Sequence, residues 1–172
     1  MNYIRPKLIT GALYAALLGM AALAFAEEPK GFRDVPWGVS EETLRFRVPI
    51  QSCEVIDPAV EFGARRCRAS RSVTFGDITP HAVFFYFRND MLVAWQVVTP
   101  PRLRERVAKS LIAQYGQPTI VYADDHATWT GQTTDLDFIG TVRADRIVAV
   151  TKAELVAHEA DREIARARRG PK

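Results

Sequence analysis

Asp124, Asp125 and His126 stand consecutively and form the densest group of potential metal ligands or proton carriers in the chain. Two carboxylates and an imidazole can hold a divalent cation and activate water, which makes a metal-dependent hydrolase one reading. Consecutive residues converge on one ion only if the loop folds back, and Asp-rich turns also arise from local side-chain-to-backbone bonding. His81 and His158 are far apart in the chain, so a His-centred triad would need long-range assembly. Asp135 and Asp137 alternate with Leu136 and Phe138, which is the pattern of a half-exposed strand rather than of a glycosidase pair. No nucleophile-elbow, zincin, phosphate-loop or dinucleotide motif occurs, and no cofactor is implied. The expectation is a protein that works without catalysis.

Cys53 and Cys67 lie 14 positions apart. What they do depends on the compartment. Residues 1–26 carry Arg5 and Lys7, then 19 uncharged residues, and end in Ala24-Phe25-Ala26. That is the layout of a secretory signal cleaved before Glu27. A run of this length can also span a bilayer as an uncleaved anchor, and both readings stay open. Either way the domain is expected to be periplasmic or secreted, where paired cysteines oxidise. Closing such a loop restricts the unfolded chain by about 3 kcal/mol. No C-x-x-C pairing points to redox catalysis.

Residues 27–168 are expected to form one domain, long enough to bury a core, with 169–172 as a basic disordered tail. The formal net charge is +3, and the leader supplies two of those charges. From position 162 onward Arg162, Arg166, Arg168, Arg169 and Lys172 face Glu163 alone. Such a tail could touch anionic lipid headgroups, or it could simply complement the negative end of a helix dipole. The export signal and the lack of any binding motif argue against a nucleic-acid partner.

The elements that must position these residues are legible in part. Ser40 reads as an N-cap before Glu41 and Glu42, with Val39 and Leu44 as a hydrophobic staple, and Pro49 ends that helix early. From Arg65 the pattern has period two, with Cys67, Ala69, Val73 and Phe75 inward; Arg71 breaks the series. Arg66 and Arg68 share the outward face and could bind an anion or form a solvated surface. "HAVFFYF" and "MLVAWQVV" read as central strands joined by a tight Asn89-Asp90 hairpin, with Val93 and Trp95 on one face and Leu92 and Ala94 on the other. Both faces are apolar, so both need cover. Thr99 and Pro100 begin a second helix that Gly116 caps. "TIVYA", "HATWT", "TDLDFIG" and "RIVAVT" read as four short strands. Thr151 and Glu154 form a capping box for a last helix whose apolar line is Val156, Ala160 and Ile164. The class is therefore α+β: an antiparallel sheet with helices packed on it, ordered helix, three to four strands, helix, three to four strands, helix. Trp37 reads first as a ring that plugs the end of the core, and Trp37 and Trp95 are the alternative candidates for ligand or partner contact, with a small-ligand pocket between helices and sheet beside them.

The opening "FRDVPWGVSEETL", the hairpin "VFFYFRNDMLVAW", and "LIAQYGQP" followed by "ATWTG" resemble a set of small exported proteobacterial proteins. Gly38-Val39-Ser40 before a helix and Tyr115-Gly116-Gln117-Pro118 are more faintly similar to the BamE/SmpA-type domain of outer-membrane assembly lipoproteins. This chain lacks that family's lipobox cysteine and its immediate second helix. The resemblance implies a periplasmic binding or assembly role, with a protein or envelope component as partner.

Overall fold

The computed structural model describes residues 28–123 and 125–170. The leader at 1–26, Asp124 and Lys172 lie outside the described residues. A two-residue hairpin, β1 (Gly31–Phe32) with β2 (Val35–Pro36), precedes the helix α1 (Glu41–Arg47). As expected, the Ser40 hydroxyl accepts the Thr43 amide, two carboxylates fill the first turn, and Leu44 is buried. Four strands follow: β3 (Ile50–Val55), β4 (Arg65–Ala69), β5 (Ala82–Arg88) and β6 (Met91–Thr99). After α2 (Arg104–Tyr115) come β7 (Ile120–Ala123), β8 (His126–Thr130), β9 (Thr134–Ile139) and β10 (Asp145–Thr151), and α3 (Lys152–Arg169) completes the fold.

These eight strands make one antiparallel sheet in the order β3-β4-β5-β6-β10-β9-β8-β7. The apolar hairpin β5-β6 is central, as its two greasy faces require. One face carries the main core. Phe85, Trp95, Leu136 and Ile147 point from the sheet into Leu44 of α1, Val107 and Leu111 of α2, and Phe32 of the opening segment. Phe32 packs edge-on against Phe85 and Trp95 at 5.1 and 5.4 Å between centroids. The class, a large antiparallel sheet with three helices in a single domain, follows the expectation. Among the described residues no helix is long and apolar enough to cross a membrane.

Several local expectations are corrected. Thr99 does not cap α2; it is the last residue of β6, paired with Asp145, and the chain enters the helix through a 3₁₀ turn at Pro101–Leu103. The interruption at Arg71 has a simple cause, because β4 stops at Ala69 and Arg71 lies exposed in a turn. A bulge opposite Tyr86 and Phe87 makes Val93 the extra residue of β6. Leu92 therefore joins Trp95 in the main core, while Val93 packs on the opposite face with Ala94. Glu154 gives its backbone N–H to the Thr151 cap, but its carboxylate does not reach back to complete a box.

The last helix also faces differently from the expected line. Val156 and Ile164 are 73% and 51% exposed, and the inward positions are Glu154, Leu155, Ala157, His158, Asp161 and Ala165. A polar face is buried here because it meets charged partners. The Glu154 side chain has no exposed surface and accepts from Arg88 Nε at 2.6 Å, Arg88 Nη2 at 2.9 Å and the Gly63 amide at 2.6 Å. Arg88 also reaches Asp161 at 2.8 Å. The Glu154 hydrogen bonds and then the Asp161 bond hold Arg88 charged, raising its already high pKa. Gly63 takes φ 71, and a Cβ there would lie 2.5 Å from the Phe87 carbonyl oxygen, so the loop can approach the sheet only with glycine at this point. One carboxylate thus ties α3, the end of β5 and the β3-β4 loop together.

Candidate functional site

On the second face of the sheet, β5, β6 and β10 present a row of apolar side chains. Tyr86, Ala94 and Val150 are buried under Leu155 of α3 and under Ile56 and Phe62 of the β3-β4 loop. Further along these strands and on the neighbouring β9, cover ends. Phe84, Val98, Val148 and Ile139 stay half-exposed and floor a cleft of about 520 Å³. Its wall is Val60, Glu61 and Phe62 from the loop and His158 from α3.

The loop is braced rather than loose. The disulfide between Cys53 and Cys67 joins paired residues of β3 and β4 and closes the segment that holds this wall. Within it the Ile56 amide donates to the Ala64 carbonyl at 3.1 Å and the Ala64 amide to Phe87 at 2.8 Å. The Phe62 ring stands edge-on to Tyr86 and 4.9 Å from the His158 ring. His158 Nδ1 lies 2.7 Å from the Pro58 carbonyl oxygen, which can only accept, so Nδ1 carries a proton.

The polar groups of the cleft are Glu61, Arg66, Tyr86, Gln96, Arg146 and His158, set around the apolar floor. Tyr86 Oη donates to Gln96 Oε1 at 2.7 Å. Burial first, and the nearby Glu61 carboxylate second, push the Tyr86 phenol up to about 12. The phenol is therefore a donor throughout the physiological range. Because the folded phenol keeps its proton after the unfolded one has lost it, this contribution to stability is full below about pH 10 and declines as pH rises toward 12, at about 1.4 kcal/mol per pH unit. Chemical denaturation across that window should show the decline in the native protein and a flatter profile in Tyr86→Phe; parallel profiles would remove the assignment.

Of the residues that the sequence nominated, Cys53 and Cys67 form the expected bridge. Arg66 lines the cleft, although Glu54 at 2.6 Å and Glu61 at 2.6 Å already neutralise it, and its guanidinium lies 5.1 Å from the Phe84 centroid. The hydrogen bonds it donates to Glu54 raise its pKa against the opposing effect of burial. Arg68 is exposed beside the same ring, at 5.9 Å. Trp37 and Trp95 stand elsewhere. Trp95 has no exposed surface and spends its indole N–H on the Gly31 carbonyl at 2.8 Å, so it serves the core and presents nothing to a ligand. Trp37 is half-buried at the edge of that core, with its N–H on Pro29 at 2.8 Å. The cleft lies on the other side of the sheet from both rings.

The turn at 124–126 separates its described members. His126 begins β8 and stacks on Tyr122 at 4.5 Å, while the Asp125 carboxylate sits 4.0 Å from Arg104. Arg104 in turn grips the buried Asp145 at 2.7 Å. Among the described residues the trio within metal-ligand range is Glu41, Cys53 and Cys67, and its two sulfurs are bonded to each other. Sequence reasoning missed Arg88, Gln96, Arg146 and the inward role of Glu154 and His158. The one available signal was Val60 and Phe62, two large apolar residues inside an otherwise turn-rich segment.

No protein-family model, curated protein or solved structure matches this chain.

Proposed function

We propose that this chain is an exported, non-catalytic binding protein that holds a protein or envelope component on the half-covered second face of its sheet. The observation that carries the reading is the way α3 and the loop at 56–64 cover Tyr86, Ala94 and Val150 yet leave Phe84, Val98, Val148 and Ile139 open beside them. An apolar sheet face demands cover, and the chain supplies half of it. The leader and the disulfide support export, since such bridges persist in oxidising compartments. The small-ligand reading is favoured by the cleft itself, whose volume of about 520 Å³ falls in the usual range for ligand sites. For the metal-dependent hydrolase, the protein partners of Asp125 and His126 leave that reading with less support.

A photoreactive residue placed at Val148 or at Ile139 tests the proposal in the cells that make the protein. Adducts are expected from these two positions and not from the exposed Glu105 on α2. The component recovered, added back to purified protein, should shift the amide resonances of Phe84, Gln96 and Val148. Equal labelling from Glu105, or no adduct from either cleft position, would overturn it.

A further inference from the structure

The sheet cleft does not end at His158. Val60 and His158 also line a second depression of about 450 Å³, whose other walls include Arg162, Arg166 and Arg169 of α3. The apolar floor and the cationic wall thus adjoin, with Val60 and His158 as their shared border. We propose that together they take a single molecule of an anionic lipid, with an acyl chain along Phe84, Val98 and Val148 and a phosphate-bearing headgroup on the arginines of α3. The proposal rests on the reading of the second sheet face as a binding surface.

Three features select this chemistry. The floor belongs to strands whose backbone groups are consumed by their neighbours, and its one amide, Gln96, already accepts from Tyr86. A peptide laid there finds no open strand edge for its N–H and C=O groups, whereas an acyl chain needs none. The cationic wall carries three guanidiniums against Glu159, which lies 3.2 Å from Arg162 and 3.1 Å from Arg166. Arg169 has no carboxylate partner among the described residues. Several planar cations side by side suit an anion with several oxygens. Finally, the imidazole at the junction donates its Nδ1 proton to the Pro58 carbonyl, which fixes the ring as a spacer between floor and arginines, where it brings no negative charge to repel an anion. Val60, 68% exposed, supplies the apolar lip over which the chain would pass.

Calorimetric titration of the purified, disulfide-intact protein with palmitoyl lysophosphatidylglycerol below its micellar concentration tests this. Saturable binding of one molecule per chain is expected, at least about tenfold tighter than for palmitoyl lysophosphatidylcholine, with no heat from glycerol phosphate alone. Arg166→Glu combined with Arg169→Glu should abolish the preference between the two lipids while leaving the shared chain contribution. Val148→Glu should remove binding of both, and Ile139→Gln, at the margin of the floor, repeats that test with less risk to folding. Equal affinity for the two lysolipids would overturn the proposal, as would a preference lost through Arg146→Glu but untouched by the α3 pair. Binding of glycerol phosphate as tight as that of the lipid would also overturn it. If neither lysolipid binds while photoadducts from Val148 still form, the lipid assignment falls and the binding face stands; if the adducts are absent too, both fall.

Discussion

Replacing Glu154 with alanine should lower the unfolding free energy by about 3 kcal/mol, because truncating one partner of a buried ion pair strands what it held. The side chain is 0% exposed and accepts from two nitrogens of Arg88 and from the Gly63 amide. Asp161 would keep Arg88 partly paired, which places the loss toward the lower end for such changes. The effect should also be local. Hydrogen exchange should accelerate first in α3 and in residues 56–64, with β5, β6 and β10 still protected. Urea denaturation within about 0.5 kcal/mol of the native protein would show that the carboxylate is not what docks the helix.

Removing the bridge by the double replacement of Cys53 and Cys67 with alanine should cost about 3 kcal/mol, the value expected for a closed loop of this length. Here too the place matters as much as the magnitude. The loop so closed contains Val60, Glu61 and Phe62, one wall of the cleft. Whatever occupies the cleft should bind the unbridged protein more weakly, since ordering of that wall would then have to accompany binding. Stability lost without any change in binding would separate the bridge from the site and leave it a purely structural tie.

How far the residues alone reveal this protein can be judged element by element. Ser40, Gly116 and the Asn89-Asp90 pair act within their own turns, and each sits as local chemistry predicts; Asn89 and Asp90 take φ 50 and 60. Period-two patterning likewise placed Leu136 and Phe138 inside and Asp135 and Asp137 half outside. The failures share a cause, which is that the deciding partner lies far along the chain. Glu154 looked like a capping residue because Arg88, its true partner, is 66 positions away. Val93 was assigned to the wrong face because a bulge shows in pairing and not in pattern. The apolar line Val156, Ala160 and Ile164 is real on a helical wheel, yet long-range ion pairs turn that stripe to solvent. The cleft is invisible in the sequence for the same reason, since it exists only where α3, the bridged loop and the strands β5, β6, β9 and β10 meet.

The strand order repeats itself about its middle. Helix α1 with β3 to β6, and α2 with β7 to β10, trace the same path, and they meet where β6 lies antiparallel to β10. Both helices sit on one side of the sheet, as a two-fold rotation normal to it would require. The two halves are thus arranged as the subunits of a self-complementary dimer would be. Severed at Pro100, its halves would carry matching seams and could be supplied as separate fragments to reassemble across β6 and β10.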